Sequence, residues 1–167
     1  MKNLLLILCF SILFIACERN AITGRNQLNL VSESDLQSMA VVQYKTFLAS
    51  NRVVTTSNSD AEMVRRVGQR IAVAVKQYYK NKRVGHNLDN YQWEFNLIDN
   101  KEANAWCMPG GKVVVYSGLL AITQNETALA IVLGHEITHA VLGHGSERIS
   151  REMAAQGLGA LGGVLTP

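Results

Sequence analysis

The sequence has few of the residues that mark specialised classes of protein. Three cysteines in 167 residues are too few for a scaffold held by several disulfides, and two prolines exclude a collagen-like or linker-rich chain. No repeat of about 20 to 50 residues is present, which excludes a solenoid. The net charge of +3 is too small to indicate nucleic-acid binding, and the basic stretches 65–66 and 80–83 match no nucleic-acid motif. With 48% apolar and 17% charged residues, a globular protein with a packed core remains.

The N-terminus combines a basic start with a short apolar run. Lys2 precedes the twelve residues 4–15, which are nearly all apolar. This run is short for a membrane-spanning helix of about 20 residues and typical of a secretory signal. Cys17 stands where a bacterial lipoprotein signal places its lipidated cysteine, although Phe14 replaces the usual leucine; an ordinary signal with a nearby cysteine is the alternative. The sequence predicts a signal peptide over 1–16 and a lipid anchor at Cys17.

The rest of the chain has an α+β pattern. Residues 17–31 are polar apart from scattered aliphatic residues, which predicts an extended tether before a catalytic domain over 32–167. Apolar residues at spacings of three and four predict two helices, one capped by Ser32 or Ser34 and one by Ser59-Asp60. Strands are then predicted over 91–98, 105–108 and 112–117, with a turn at 109–111.

A third helix is predicted over 128–144, with Thr123 and Glu126 at the spacing of a capping box. It is apolar almost all round, so we expect it to be buried in the middle of the domain. A buried helix with two histidines and a glutamate requires an explanation, because burying these groups without a partner is costly.

Residues 135–139 form the motif HExxH. His135 and His139 are four residues apart and therefore lie on one face of a helix, where both imidazoles can bind the same Zn²⁺. Glu136 is expected to act as the general base that takes a proton from the attacking water. Two hydrogen-bonded core histidines are the alternative for this pair.

Three stretches of the sequence together resemble one family of enzymes. They are residues 104–112 (NAWCMPGGK), residues 115–120 (VYSGLL), and the segment from Glu126 to His139 that contains LGHEITH. This combination resembles the HtpX and CAAX-prenyl-protease type of zinc metallopeptidase and is far more specific than HExxH alone. It is similar in particular to small periplasmic, membrane-attached lipoproteins of envelope protein quality control. Residues 23–32 are similar to their mature N-terminus.

The resemblance implies a zincin-like (gluzincin) fold with one Zn²⁺ per chain and endopeptidase activity on unfolded or misassembled envelope polypeptides. The chain would then be exported and lipid-anchored, on the outer membrane facing the periplasm. His144 matches a histidine of the family. It is expected to contact a metal ligand or the transition state, or else to be a plain histidine at the end of a helix. The substrate backbone is expected to pair with an edge strand made of Val113, Val114, Val115 and Tyr116.

One part of the family pattern is absent. The family's third zinc ligand is a glutamate in a Glu-x-x-x-Asp stretch, and no aspartate follows Asp99. Glu147 would lie about 12 Å along a continuous helix from His139 and could share its metal only if the chain folded back near Gly143. We therefore expect a C-terminally truncated domain whose third ligand lies beyond residue 167. A lipid-anchored binding or chaperone-like module without catalysis is the alternative function.

Cys107 has two possible roles. It is the only free cysteine left if the signal peptide, with Cys9, is cleaved off and Cys17 is lipidated. It could be a nucleophile, but its position in a predicted strand favours a structural role.

Overall fold

A computed structural model describes residues 17–165, without the side chains of residues 17, 86, 87 and 158–165. The expected signal peptide over 1–16 lies outside the described residues. In chain order the elements are β1 (Cys17–Arg19), β2 (Asn26–Leu28), α1 (Glu33–Ser50), α2 (Ser59–Asn81), a 3-10 helix (Gly85–Leu88), β3 (Glu94–Ile98), β4 (Ala105–Met108), β5 (Lys112–Tyr116), α3 (Ser117–Thr123), α4 (Glu126–Val141) and α5 (His144–Leu165). The predicted α+β composition is confirmed.

Short polar side chains start helices α1, α2 and α4 by accepting hydrogen bonds from free backbone N–H groups. Ser32 caps α1 by accepting from the amide of Asp35. Asn58, one residue before the predicted cap, accepts from two amides of α2. Asn125 caps α4, so the predicted capping box is wrong: Thr123 ends the preceding helix α3 instead.

The central sheet has the strand order β3-β5-β4, with β3 parallel and β4 antiparallel to β5. The turn between β4 and β5 contains Gly110 and Gly111, whose φ angles are 79° and 84°. Residues with a Cβ rarely adopt such positive φ angles. The predicted edge strand, residues 113–116, belongs to β5 and is fully buried between its two neighbours. The predicted edge position is wrong, because β5 has a partner on each side. A run of β-branched residues indicates a strand buried on both faces, which is typical of a central strand.

Helices cover both faces of this sheet. On one face, alternate residues of the strands pack against α2 and α4. The fully buried residues of this layer, from the strands and the two helices, are Val64, Val113, Val115, Leu129, Leu133 and Ile137. On the other face, Val114 and Tyr116 pack against Tyr44 and Phe47 of α1. Because side chains alternate along a strand, each strand contributes to both layers.

Residues 17–31 do not form the predicted extended tether. β1 and β2 make an antiparallel hairpin in which Cys17 pairs with Leu28. The hairpin is closed by hydrogen bonds between the backbones of Asn20 and Arg25 and of Gly24 and Asn20. Asn20 and Gln27 then donate to the carbonyl of Leu142, which joins the hairpin to the end of α4. These polar side chains, which indicated a tether, bind to the domain.

The predicted helix over 128–144 ends earlier than expected. α4 stops at Val141, and Gly143 with a φ of 69° separates it from α5, which begins at His144. A glycine in the left-handed region just after a helix is a common way to end it. The predicted range 128–144 therefore covers α4, a turn and the first residue of α5. The turn lies directly after the histidine motif.

Two glycines within helices provide a matched test of the packing. A Cβ on Gly68 of α2 would lie 2.2 Å from Cδ1 of Phe95, whereas a Cβ on Gly134 of α4 would have no neighbour within 4 Å. We expect Gly68→Ala to lower the free energy of unfolding by about 1–3 kcal/mol. Gly134→Ala should raise it by about 0.5–1 kcal/mol, because alanine favours helix. Urea denaturation checks both, and equal effects would contradict the close packing of α2 on β3.

Candidate metal centre and active site

His135 and His139 lie on an exposed face of α4. Their Nε2 atoms are 3.0 Å apart and their ring centroids 4.5 Å apart. The two imidazoles, predicted to share one helix face, lie side by side on α4. The expectation that α4 is buried all round is wrong, since Ile131 on the same helix is 71% exposed. The helix is buried on the side of Leu133 and Ile137 and open on the side of the histidines.

His144 contacts the opposite side of the His139 ring. The Nδ1 atoms of His139 and His144 are 2.6 Å apart, and the ring centroids are separated by 4.9 Å. One of these nitrogens must donate and the other accept, and either ring can be the donor. In the tautomer in which Nδ1 of His139 donates, its Nε2 is unprotonated and faces His135. Metal-binding histidines commonly hold their second nitrogen in such a hydrogen bond. His144 thus contacts His139 at the nitrogen that faces away from the pair.

Glu136 follows His135 on α4 and is close enough to β4 for its charge to act on Cys107. Burial, the larger cause, and the charge of Glu136 together raise the pKa of the Cys107 thiol to about 12. The Cys107 thiol is therefore protonated at neutral pH. This excludes the activated thiolate that a nucleophilic cysteine requires and favours the structural interpretation of this residue.

The donor set fits part of a zinc site. Two nitrogens bound to one zinc ion at about 2.0–2.1 Å, with tetrahedral angles, lie roughly 3.3 Å apart, close to the observed separation of His135 and His139. Within the part of the chain that the structure describes, no group of three or more His, Cys, Asp and Glu side chains is arranged to hold a metal ion. The histidines thus supply two ligands of a site that needs a third.

Glu147 does not supply that third ligand. The chain does turn near Gly143, but the Glu147 carboxylate, whose side chain is 8% exposed, forms ion pairs with Arg25 and Arg151. Glu152 is exposed and lies 3.9 Å from Arg148. Both acidic residues beyond the histidine motif therefore have basic partners.

Two tyrosines that the sequence analysis did not single out hold the end of α4. Tyr91 donates to the carbonyl of Ala140 at 3.3 Å, and Tyr79 donates to that of Val141 at 2.9 Å. Burial raises the pKa of both hydroxyls, that of Tyr79 to about 12, so both stay protonated donors. The last carbonyls of a helix lack partners within the helix, and these tyrosines supply them. Tyr78, the residue before Tyr79, is 49% exposed.

β4 presents a free edge beside α4. Among residues 17–165 only β5 pairs with β4, whereas the outer edge of β3 is bridged by Val53. The amide of Tyr116 donates to the carbonyl of Asn104, so alternation along an antiparallel pair turns the backbone groups of Ala105 and Cys107 away from β5. These groups face the open edge.

Comparison with known proteins identifies the family. The model of peptidase family M48 matches residues 58–165, which include β3 to α5 and the histidine motif. The chain belongs to peptidase family M48.

Relatives of the chain in this family carry protease names. It is 32% identical to the mitochondrial metalloendopeptidase OMA1 of Schizosaccharomyces pombe over 139 residues, which are 82% of this chain and 38% of that protein. It is 30% identical to the metalloprotease YcaL of Escherichia coli over 109 residues, 58% of this chain and 42% of that protein. It is 40% identical to the beta-barrel assembly-enhancing protease of Escherichia coli over 76 residues, 44% of this chain and 16% of that protein. The chain spans less than half the length of these relatives.

No helix within the described residues is long and apolar enough to cross a membrane.

The raised pKa of Cys107 predicts slow thiol labelling. At about pH 8.5 the folded chain should react with iodoacetamide at Cys107 roughly 100-fold more slowly than the chain in urea, because a pKa near 12 leaves almost no thiolate. Mass spectrometry of the peptide that contains Cys107 measures both rates and separates this residue from Cys17. Equal rates in the folded and unfolded states would contradict the burial of this thiol against α4.

Proposed function

We propose that this chain carries the metal-binding and base residues of a zinc-dependent endopeptidase. The observation that carries the proposal is the 3.0 Å approach of the His135 and His139 Nε2 atoms on the open face of α4. Glu136 lies next to His135 in the motif, and its charge acts on Cys107 of β4. Membership of family M48 and the protease names of the relatives support it. A third ligand from outside the described residues would complete the site.

Each residue has one role in this reaction. His135 and His139 hold the metal through Nε2, and His144 fixes the ring of His139 through Nδ1. When bound, zinc would act as a Lewis acid and lower the pKa of a water molecule, which makes that water nucleophilic at neutral pH. Glu136 accepts the proton of the attacking water at its carboxylate and later transfers it to the leaving amine.

We further propose that the substrate backbone pairs with β4 rather than with β5. The outward backbone groups of Ala105 and Cys107 give an extended peptide the hydrogen bonds of an added strand. Main-chain pairing places few demands on side chains, which suits unfolded polypeptides as substrates. This corrects the position of the predicted substrate strand and keeps the predicted mode of recognition.

We also propose that the protein is exported and lipid-anchored at Cys17 in the bacterial cell envelope, with misassembled envelope proteins as substrates. The signal-like start of the sequence supports this, and one relative is named for assisting β-barrel assembly. Cys17 begins β1, and the hairpin is bonded to the end of α4. An anchor at Cys17 would therefore hold the histidine face close to the membrane surface.

A non-catalytic binding module is the second candidate function. The observation that favours it is the lack, among the described residues, of a third group able to join His135 and His139 around a metal. Such a module would use the edge of β4 to hold polypeptides without cleaving them.

Replacing Glu136 decides between these two functions. Glu136→Gln should keep zinc binding and lower the rate of casein cleavage by about 10²–10⁴-fold, because the base is lost and the ligands remain. Glu152→Gln on the exposed side of α5 is the matched control and should cleave normally. Absence of cleavage by the unaltered chain with zinc bound would favour the binding module. Equal cleavage by Glu136→Gln would remove the base assignment.

A proline on β4 tests the substrate edge. Cys107→Pro removes one outward N–H without breaking a bond to β5, so kcat/KM for a peptide substrate should fall about tenfold or more. Cys107→Ala is the control for the lost side chain and should stay near the original rate. Urea denaturation verifies that both variants fold. Undiminished cleavage by a folded Cys107→Pro variant would rule out pairing at this position.

Fatty-acid labelling tests the anchor. When the full chain is expressed in a bacterial host fed labelled palmitate, it should incorporate the label, and Cys17→Ser should lose it. Cys107→Ser controls for the loss of a cysteine and should still be labelled. Label retained by Cys17→Ser would show that the lipid is attached elsewhere or not at a cysteine.

A further inference from the structure

The N-terminal hairpin, residues 17–28, contacts α4 and α5 on either side of the turn that carries His144. Before the turn, the carbonyl of Leu142 accepts hydrogen bonds from Asn20 Nδ2 at 3.1 Å and from Gln27 Nε2 at 2.9 Å. After the turn, both terminal nitrogens of Arg25 donate to the carboxylate of Glu147, one of them at 2.9 Å. The hairpin therefore fixes both ends of the segment 142–147.

Gln27 connects the two anchoring points. Its Nε2 atom also lies 3.3 Å from Oε2 of Glu147, so one side-chain amide contacts the end of α4 and the start of α5. Glu147 is 8% exposed on its side chain, and such a carboxylate needs partners in place of water. The bidentate bond from Arg25 also restricts the direction of approach, because the guanidinium is planar.

Between these points lie Gly143 and His144. Gly143 adopts a φ of 69°, and a Cβ built there would meet only Gln27 within 4 Å, at 3.9 Å. Packing alone therefore restrains the turn little, and the polar contacts of the hairpin supply the restraint. His144 leaves this turn with its Nδ1 2.6 Å from that of His139.

We infer that the hairpin is a positioning element for the metal centre, in which Arg25 and Gln27 hold the turn so that His144 contacts His139. This inference rests on the proposed function in so far as His139 binds a metal. Among the described residues, no hydrogen bond or ion pair joins the hairpin to the metal ligands or to the substrate edge. They act through the backbone at Leu142 and the side chain of Glu147.

The first test measures the contact itself in the metal-free full chain. The nuclear Overhauser effect between the ring protons of His139 and His144 should be lost or at least halved in Arg25→Ala and in Gln27→Ala. Arg25→Lys, which keeps the charge but not the bidentate bond, should show an intermediate loss. Arg19→Ala is the matched control. In the described residues the Arg19 side chain donates only within the hairpin, to the carbonyl of Gly24.

A remote variant separates positioning from general loosening. Tyr44→Phe removes the hydroxyl that donates to Val113 and accepts from Asn96, far from the turn in the chain. It should lower the melting temperature and leave the Overhauser effect intact, since the folded state remains the populated one. The inference is overturned if Tyr44→Phe weakens the effect as much as Arg25→Ala, or if Arg25→Ala and Gln27→Ala leave it unchanged.

Zinc affinity, measured by competition with a chromophoric chelator, provides the second readout. Arg25→Ala and Gln27→Ala should bind zinc about tenfold more weakly than the unaltered chain, because losing a residue that orients a ligand commonly costs 10–100-fold. Arg19→Ala and Tyr44→Phe should bind normally. Unchanged affinity in the two hairpin variants would overturn the link to the metal centre. Failure of the unaltered chain to bind zinc would instead overturn the proposed function, and the ring contact would still decide the role of the hairpin.

Discussion

The packing of α4 against the sheet is the constraint on which the rest of the site depends. Leu129, Leu133 and Ile137 recur every four residues, are completely buried and define one face of the helix. His135 and His139 have the same spacing and come two residues after Leu133 and Ile137, so they lie on the opposite, open face. Burial of the first set therefore determines where the second set points. The histidine pair is positioned by the hydrophobic core beneath it.

The same constraint explains why the end of α4 is surrounded by polar side chains. A helix held rigidly on one face still leaves its last carbonyls without partners. Tyr79 and Tyr91 satisfy two of them from α2 and from the segment before β3, and Asn20 and Gln27 satisfy the next from the hairpin. These contacts come from three separate parts of the chain. The residues that end the helix are thus also the residues that restrain the turn after His139.

The packed core and the open side of the M48 domain are formed by different segments of the chain. The strands and α2 form a packed core, whereas the histidine face, β4's edge and the turn at Gly143 are open or held by polar contacts. Hydrogen bonds to exposed backbone are easier to open than a packed core. An open side of this kind is what the proposed binding of extended polypeptides along β4 would require.

Much of the local structure follows from sequence patterns. Alternating apolar residues predict β3, spacing of four predicts the shared face of His135 and His139, and the polar residues before α1, α2 and α4 predict their starts to within a few residues. These features depend on neighbours in the chain, so the sequence by itself determines them. The run of β-branched residues in β5 indicates burial on both faces, but which strands flank β5 depends on which segments of the chain pair with it.

Tertiary structure alone decided the features that join distant residues. Arg25 and Glu147 are 122 residues apart, and their ion pair turns the predicted tether into part of the site. The open face of α4 likewise depends on which side the sheet covers, although its composition is apolar almost all round. Composition determines what a helix can bury, and the arrangement of its partners determines what it does bury. The sequence thus specified the chemical groups of the centre, and long-range packing specified which of them meet.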